Sequence, residues 1–213
     1  TTLFRSRGFL SQSDWSSGDG QEAFVDTARF ASADTGIDVS ADPGSVKLTD
    51  VLGAYGPTGE LESSTFDTGS VSNFYQFTFL PLGQPMDTGS DSVRFQIATG
   101  NSTSSWTYLG PDGTASSYYT ATATDISAVH NGDRYLRYKM FLSTASSTLT
   151  PTVSDVMFTF TSSCVPPGQV LFQGLANGDY DLTVSKAGYT DAVSVVPVNA
   201  GTPWQEATVT LVP

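Results

Sequence analysis

The stretch Asn131-Gly132-Asp133-Arg134-Tyr135-Leu136-Arg137-Tyr138-Lys139-Met140-Phe141-Leu142-Ser143 decides the fold. From Leu136 onward, Leu136, Tyr138, Met140 and Leu142 point one way, and Arg137 and Lys139 point the other. Successive side chains of a strand lie on opposite faces, so this spacing makes a ribbon with one face on a core and one in water. A helix would have placed its apolar residues three and four apart. Asn131-Gly132, just upstream, supplies the positive φ that a tight turn requires.

The same period of two recurs outward from this strand. Tyr75, Phe77 and Phe79 alternate with Gln76 and Thr78; Val93, Phe95 and Ile97 alternate with Arg94 and Gln96; Val156, Phe158 and Phe160 repeat the pattern. Asp67-Thr68-Gly69 and Gly110-Pro111-Asp112-Gly113 punctuate the runs as turns. Almost no segment has amphipathic helical spacing. The sequence therefore predicts an all-β fold of antiparallel sandwiches. The first fifty residues are less regular: Ser13 to Gly20 reads as a loop, with short strands at 28–31, 37–39 and 46–48. Pro166-Pro167 cannot sit in a sheet ladder and marks a boundary. The expected organisation is an N-terminal extension over 1–22, a jelly-roll-like sandwich over 23–163 and a small sandwich over 164–213. Strands of the last are expected at 170–175, 179–186, 192–197 and 206–212.

Composition narrows the function. The chain has 213 residues, long enough to bury a core without metals or disulfides. Nine Lys and Arg face 21 Asp and Glu, a formal net charge of -12. No basic cluster is present to neutralise phosphates, which argues against nucleic acid or anionic lipid as partner. Charged residues make up only 14%, and Ser, Thr, Gly and Asn supply much of the polar surface, a composition expected outside the cell. No apolar run of about 18 residues could span a membrane. The chain starts at Thr1 without a signal peptide, which reads as a processed product. Cys164 is the single cysteine, expected to be a buried small side chain or to pair with a cysteine elsewhere.

Two resemblances add to this. Gly168-Gln169-Val170-Leu171-Phe172-Gln173-Gly174-Leu175, Asn177-Gly178-Asp179-Tyr180-Asp181-Leu182-Thr183-Val184 and Gly188-Tyr189 together resemble the carboxypeptidase regulatory-like, or Cna-B-type, module. That resemblance implies a small, non-catalytic β-sandwich used as a spacer in secreted and surface proteins. The family's opening strand is not recognisable here. Lys186 sits at the end of a strand, so no Lys–Asn isopeptide crosslink is expected. Gly59-Glu60-Leu61-Glu62-Ser63-Ser64-Thr65-Phe66-Asp67-Thr68-Gly69, with Val93 to Thr99, Trp106, Gly110 to Gly113 and Asn131 to Lys139, resembles a jelly-roll-like module of bacterial pilin-like surface proteins. It implies a surface location and says little about activity.

Candidate chemistry is sparse. His130 is the sole histidine and precedes Asn131-Gly132-Asp133, so it reads as a turn residue and not as part of a triad. Glu60 and Glu62 share a strand face and read as solvated. No enzyme is expected. Loop aspartates suit a hard cation, and calcium is the one ligand they point to. The candidates are Asp14, Asp19, Asp87, Asp91 and Asp112, although each is also a turn former. Trp15 and the pair Tyr118-Tyr119 are the candidate stacking aromatics for a glycan, whereas Trp106, at the head of a strand, is expected in the core. Asn101-Ser102-Thr103 is a glycosylation sequon.

The leading functional expectation is an extracellular structural subunit of a pilus-like filament or surface layer, partnered by its own copies. The alternative is a carbohydrate-binding or adhesion module of a larger secreted protein. A tail sandwich short of one strand would need completing. Residues 162–165 folding back would serve, or Thr1 to Leu10 donated from another subunit, with Leu3, Phe4, Phe9 and Leu10 as the contacts.

Overall fold

In the computed structural model the described residues are 8–16, 28–40, 44–162, 169–170, 172, 174–199 and 205–213. The chain divides into two compact units, Thr1–Leu171 and Phe172–Pro213. Both are all-β. Single 3-10 turns at Met86–Thr88 and Ala128–His130 are the only helical elements among the described residues.

The strands of the first unit are β1 Gly8–Gln12, β2 Phe30–Ala33, β3 Ile37–Asp38, β4 Val46–Leu48, β5 Asp50–Val51, β6 Ala54–Tyr55, β7 Thr58–Ser63, β8 Phe66–Leu80, β9 Val93–Gly100, β10 Thr124–Asp125, β11 Asp133–Ser143, β12 Thr152–Val153 and β13 Asp155–Ser162. Their pairings resolve into two antiparallel layers. One runs β2-β7-β11-β9 and the other β1-β13-β8-β10. β8 belongs to both: Phe66 and Asp67 pair with β11, while Ser72 to Leu80 pair with β13. The crossing between layers falls at Gly69, whose φ of 79° suits glycine and whose N–H is held by the Asp67 carboxylate at 2.7 Å. Opposite this corner the register of β11 slips between Asp133 and Tyr135.

The alternation along β11 is realised as expected. Leu136, Tyr138, Met140 and Leu142 are buried, and Arg137, Lys139 and Phe141 lie on the other face. Aromatic rings fill the space between the layers. Phe95 of β9 meets Phe77 of β8 edge-on at 4.8 Å, and Tyr138 of β11 stacks on Phe158 of β13 at 5.9 Å. Each such fully buried ring contributes about 1.5–3 kcal/mol of burial free energy.

Residues 8–12 are not part of an extension. They form β1, paired along its whole length with β13, with Leu10 in the core. Gly8 lies against the Phe160 ring, where an added Cβ would come within 2.8 Å of Cζ. Trp15 is likewise fully buried and not a loop aromatic. Its indole N–H donates to the Tyr138 hydroxyl at 2.8 Å, and that hydroxyl donates to Gln12 Oε1 at 2.6 Å. Two short sheets, β12-β4-β3 and β5-β6, complete the unit.

The second unit holds β14 Gly178–Val184 and β15 Ala192–Val198, joined as a hairpin, and a bridge between Thr190 and Val212. Of the four strands expected here, these two form. Val170, Phe172 and residues 205–211 lie in no ladder, because β-propensity becomes a strand only where a neighbour pairs with the backbone. Cys164 and the rest of the 163–168 boundary fall outside the described residues.

Candidate functional site

The outer face of the β7–β11–β9 layer carries the most organised chemistry among the described residues. Its rows follow from the register. Glu60 of β7 and Arg94 of β9 flank Phe141 of β11, and Glu62 and Gln96 flank Lys139. Arg137, two residues before Lys139, has Ala98 on its β9 side. Rows two residues apart along a strand are separated by roughly 7 Å.

The carboxylates grip the cations diagonally. Glu62 accepts from Arg137 Nη1 at 2.7 Å, and Glu60 accepts from Lys139 Nζ at 2.7 Å. Arg137 also donates from Nε to Thr65 Oγ1 at 2.7 Å, which fixes its plane. Arg137 and Glu62 have 16% and 21% of their side chains exposed, so both lie at the water boundary and neither is enclosed.

A long crossover between β9 and β10 lays aromatic rings over these cations. It is tied along the free edge of β9, where Leu109 pairs with Ile97 and Tyr119 with Phe95. It is also pinned by Gln96, whose side-chain amide donates to the carbonyls of Ala115 and Ser117 at 2.9 and 3.0 Å. The rings of Trp106, Tyr108 and Tyr118 then lie 5.0, 5.0 and 4.9 Å from Arg137, Lys139 and Arg94. All three rings are half-buried. Burial, and then the Glu62 carboxylate beside it, pushes the Tyr108 phenol up, so it stays neutral. Its hydroxyl is buried and meets no partner in hydrogen-bonding geometry. The result is a ladder of three aromatic–cation pairs, two of them buttressed by carboxylates.

The structure redistributes the expected site residues. Tyr118 is on this ladder, but Trp15 and Tyr119 are fully buried and cannot stack on a ligand. Tyr119 instead plugs the core against Phe77 at 5.7 Å. Trp106, expected in the core, is on the outer face. Trp106 and Tyr108 carry no periodic signal, since their places depend on strands about thirty residues downstream.

The loop aspartates Asp14, Asp87, Asp91 and Asp112 do not gather into a common group of three. Among the described residues, no three His, Cys, Asp or Glu side chains come together. Asp14 is taken by Arg29 at 2.8 Å and by Ser16; burial alone would raise its pKa, but the Ser16 hydrogen bonds and Arg29 hold it below the usual range. Asp112 closes its own turn through Ser117 and Thr114, which lower its pKa. Asp87 and Asp91 are exposed at either end of a short loop, and Asp91 has a φ of 54°. Asp19, Leu3 and Phe4 fall outside the described residues. Phe9 is half-buried and Leu10 buried within their own sheet, which removes both as donor-strand contacts.

His130 sits in its turn, as expected, but is buried at 2% exposure. Its Nδ1 lies 3.1 Å from Thr99 Oγ1, which donates to Asp133 at 2.7 Å. The Thr99 proton goes to Asp133, so His130 donates from Nδ1. Burial outweighs the attraction of Asp133 and lowers its pKa to about 4. Asn101 of the sequon uses its amide to hold Asp133 at 2.8 Å.

No protein-family model and no curated protein matches the chain. Among solved structures, a carbohydrate-binding module, CBM32-3 from a family 31 glycoside hydrolase of Clostridium perfringens, aligns with 71% of this chain and 91% of its own. Identity is 11% and the TM-score 0.30, a likeness too slight to fix a ligand or its position.

Proposed function

We propose that the first unit is a non-catalytic, glycan-binding β-sandwich displayed outside the cell. One observation carries the reading: Trp106, Tyr108 and Tyr118 form a ladder over Arg137, Lys139 and Arg94 on one sheet face. Aromatic rings offer a flat apolar surface to the C–H faces of sugar rings. Charged side chains held at fixed positions offer directional hydrogen bonds to hydroxyls, stronger than those of neutral groups. A repeating spacing of roughly 7 Å along the strand suits an extended ligand. The few charges and many hydroxyls elsewhere on the chain fit an extracellular setting.

Among the described residues, the carboxylates of this face are engaged in ion pairs. Glu60 and Glu62 are committed to cations, and His130 is buried away from them in its own network. Strand donation through Phe9 and Leu10 would require β1 to leave the sheet in which it pairs with β13. The test is a glycan microarray probed with the purified chain. Retention on a defined set of oligosaccharides, with none of them turned over, supports the reading. An array without retention on any glycan overturns it.

A further inference from the structure

The ladder has one unequal rung. Four cations among the described residues, Arg29, Arg134, Arg137 and Lys139, each hold a carboxylate at 2.7–2.8 Å. Arg94 has no such ion pair among the described residues. In a chain with 21 acidic and nine basic residues, an unpaired arginine on an organised face is conspicuous. Geometry shows why no internal acid serves it. Glu60 stands in the same row, but two strand spacings away, about 10 Å at the backbone, with Phe141 between them. Glu60 turns instead to Lys139.

Arg94 is nonetheless held in place. Its guanidinium stacks on Tyr118 at 4.9 Å, and Tyr118 meets Phe141 edge-on at 5.5 Å and 87°. Its Nε is buried without a hydrogen-bond partner. Stacking fixes the plane of the guanidinium; Nε is enclosed, and the terminal Nη1–Nη2 edge is the one left to be satisfied from outside. That edge is a planar fork that matches a carboxylate with two parallel hydrogen bonds. Across the face, three cations and two carboxylates leave one positive charge, and it resides on Arg94.

We propose that Arg94 is the specificity element of the glycan site and takes the carboxylate of an acidic sugar. This rests on the glycan-binding reading of the face. Trp106 and Tyr108 stack on neighbouring sugar rings, and Arg94, at the Tyr118 end, reads the acid.

The test compares ligands that differ only in that charge. Calorimetry would measure oligogalacturonate against its methyl ester, and sialyllactose against its own methyl ester, on the wild-type chain and on Arg94→Gln. A charged hydrogen-bonded contact is worth about tenfold or more in affinity. We expect at least one acidic ligand to bind about tenfold tighter than its uncharged counterpart, and Arg94→Gln to bring the ratio of the two affinities to about one. Because the ester comparison is made on unaltered protein, it does not depend on the variant folding. Equal affinity for acidic and neutral ligands would overturn the role of Arg94 and leave glycan binding standing. No binding to either class would overturn the underlying reading itself.

Discussion

The indole N–H of Trp15 donates to the hydroxyl of Tyr138 at 2.8 Å, joining residues 123 positions apart at the centre of the first sandwich. Tyr138 passes the link to Gln12, whose amide donates to the Arg29 carbonyl at 2.8 Å. All three side chains are fully buried. This relay anchors β1 and the segments around residues 13–16 and 28–30 to β11, an inner strand of the opposite layer. Removing the hydroxyl leaves a buried donor and a buried acceptor unpaired, each costing about 1–3 kcal/mol. Tyr138→Phe is therefore expected to lower unfolding free energy by about 2–4 kcal/mol, measured by urea denaturation. A change below half a kcal/mol would show that the relay is not stabilising.

Leu10 makes the same point for β1. Truncation of a buried leucine costs about 2–5 kcal/mol, so Leu10→Ala should destabilise the isolated chain. If Leu10 served another subunit, the same change would leave monomer stability untouched and weaken only association, read by ultracentrifugation.

Acid should loosen the fold through His130. Its folded pKa of about 4 lies below the ordinary value of 6.5, so the unfolded chain binds the extra proton between those limits. The stabilisation is complete above pH 6.5 and is lost as pH falls toward 4, with a slope of up to about 1.4 kcal/mol per pH unit. Asp67, held low by its Arg134 hydrogen bond, loses its contribution only at lower pH. Denaturation series at pH 7, 5.5 and 4.5 should show the slope in the wild type and its absence in His130→Gln. Equal slopes in both proteins would assign the effect elsewhere.

How much of this was legible depends on whether a signal is local. The strands β8, β9, β11 and β13 show in the sequence because one face of each meets the core and the other does not, which writes a period of two into Phe77, Phe95, Leu136 and Phe158. Trp15 hides because Ser13, Asp14, Ser16 and Ser17 around it have loop chemistry, while its burial is imposed by Tyr138 from far along the chain. Tyr118 and Tyr119 are neighbours with opposite fates, because adjacent side chains point to opposite sides: one toward Arg94, the other into the core. The ladder was half visible. Arg137 and Lys139 could be assigned to an outer face, but Trp106 and Tyr108 could not be laid on them without the β9–β10 crossover. At 170–175 the expected strand is not seen among the described residues: Val170 and Phe172 lie in no ladder.

The glycan reading turns most directly on Trp106, whose ring lies on Arg137 at the water boundary. The decisive measurement is the affinity of wild type and Trp106→Ala for the same array-selected oligosaccharide, with melting curves run on both proteins. Losing a stacking ring should weaken binding by about tenfold or more, while the melting curve stays close to that of the wild type. Unchanged affinity in a folded Trp106→Ala would contradict the account.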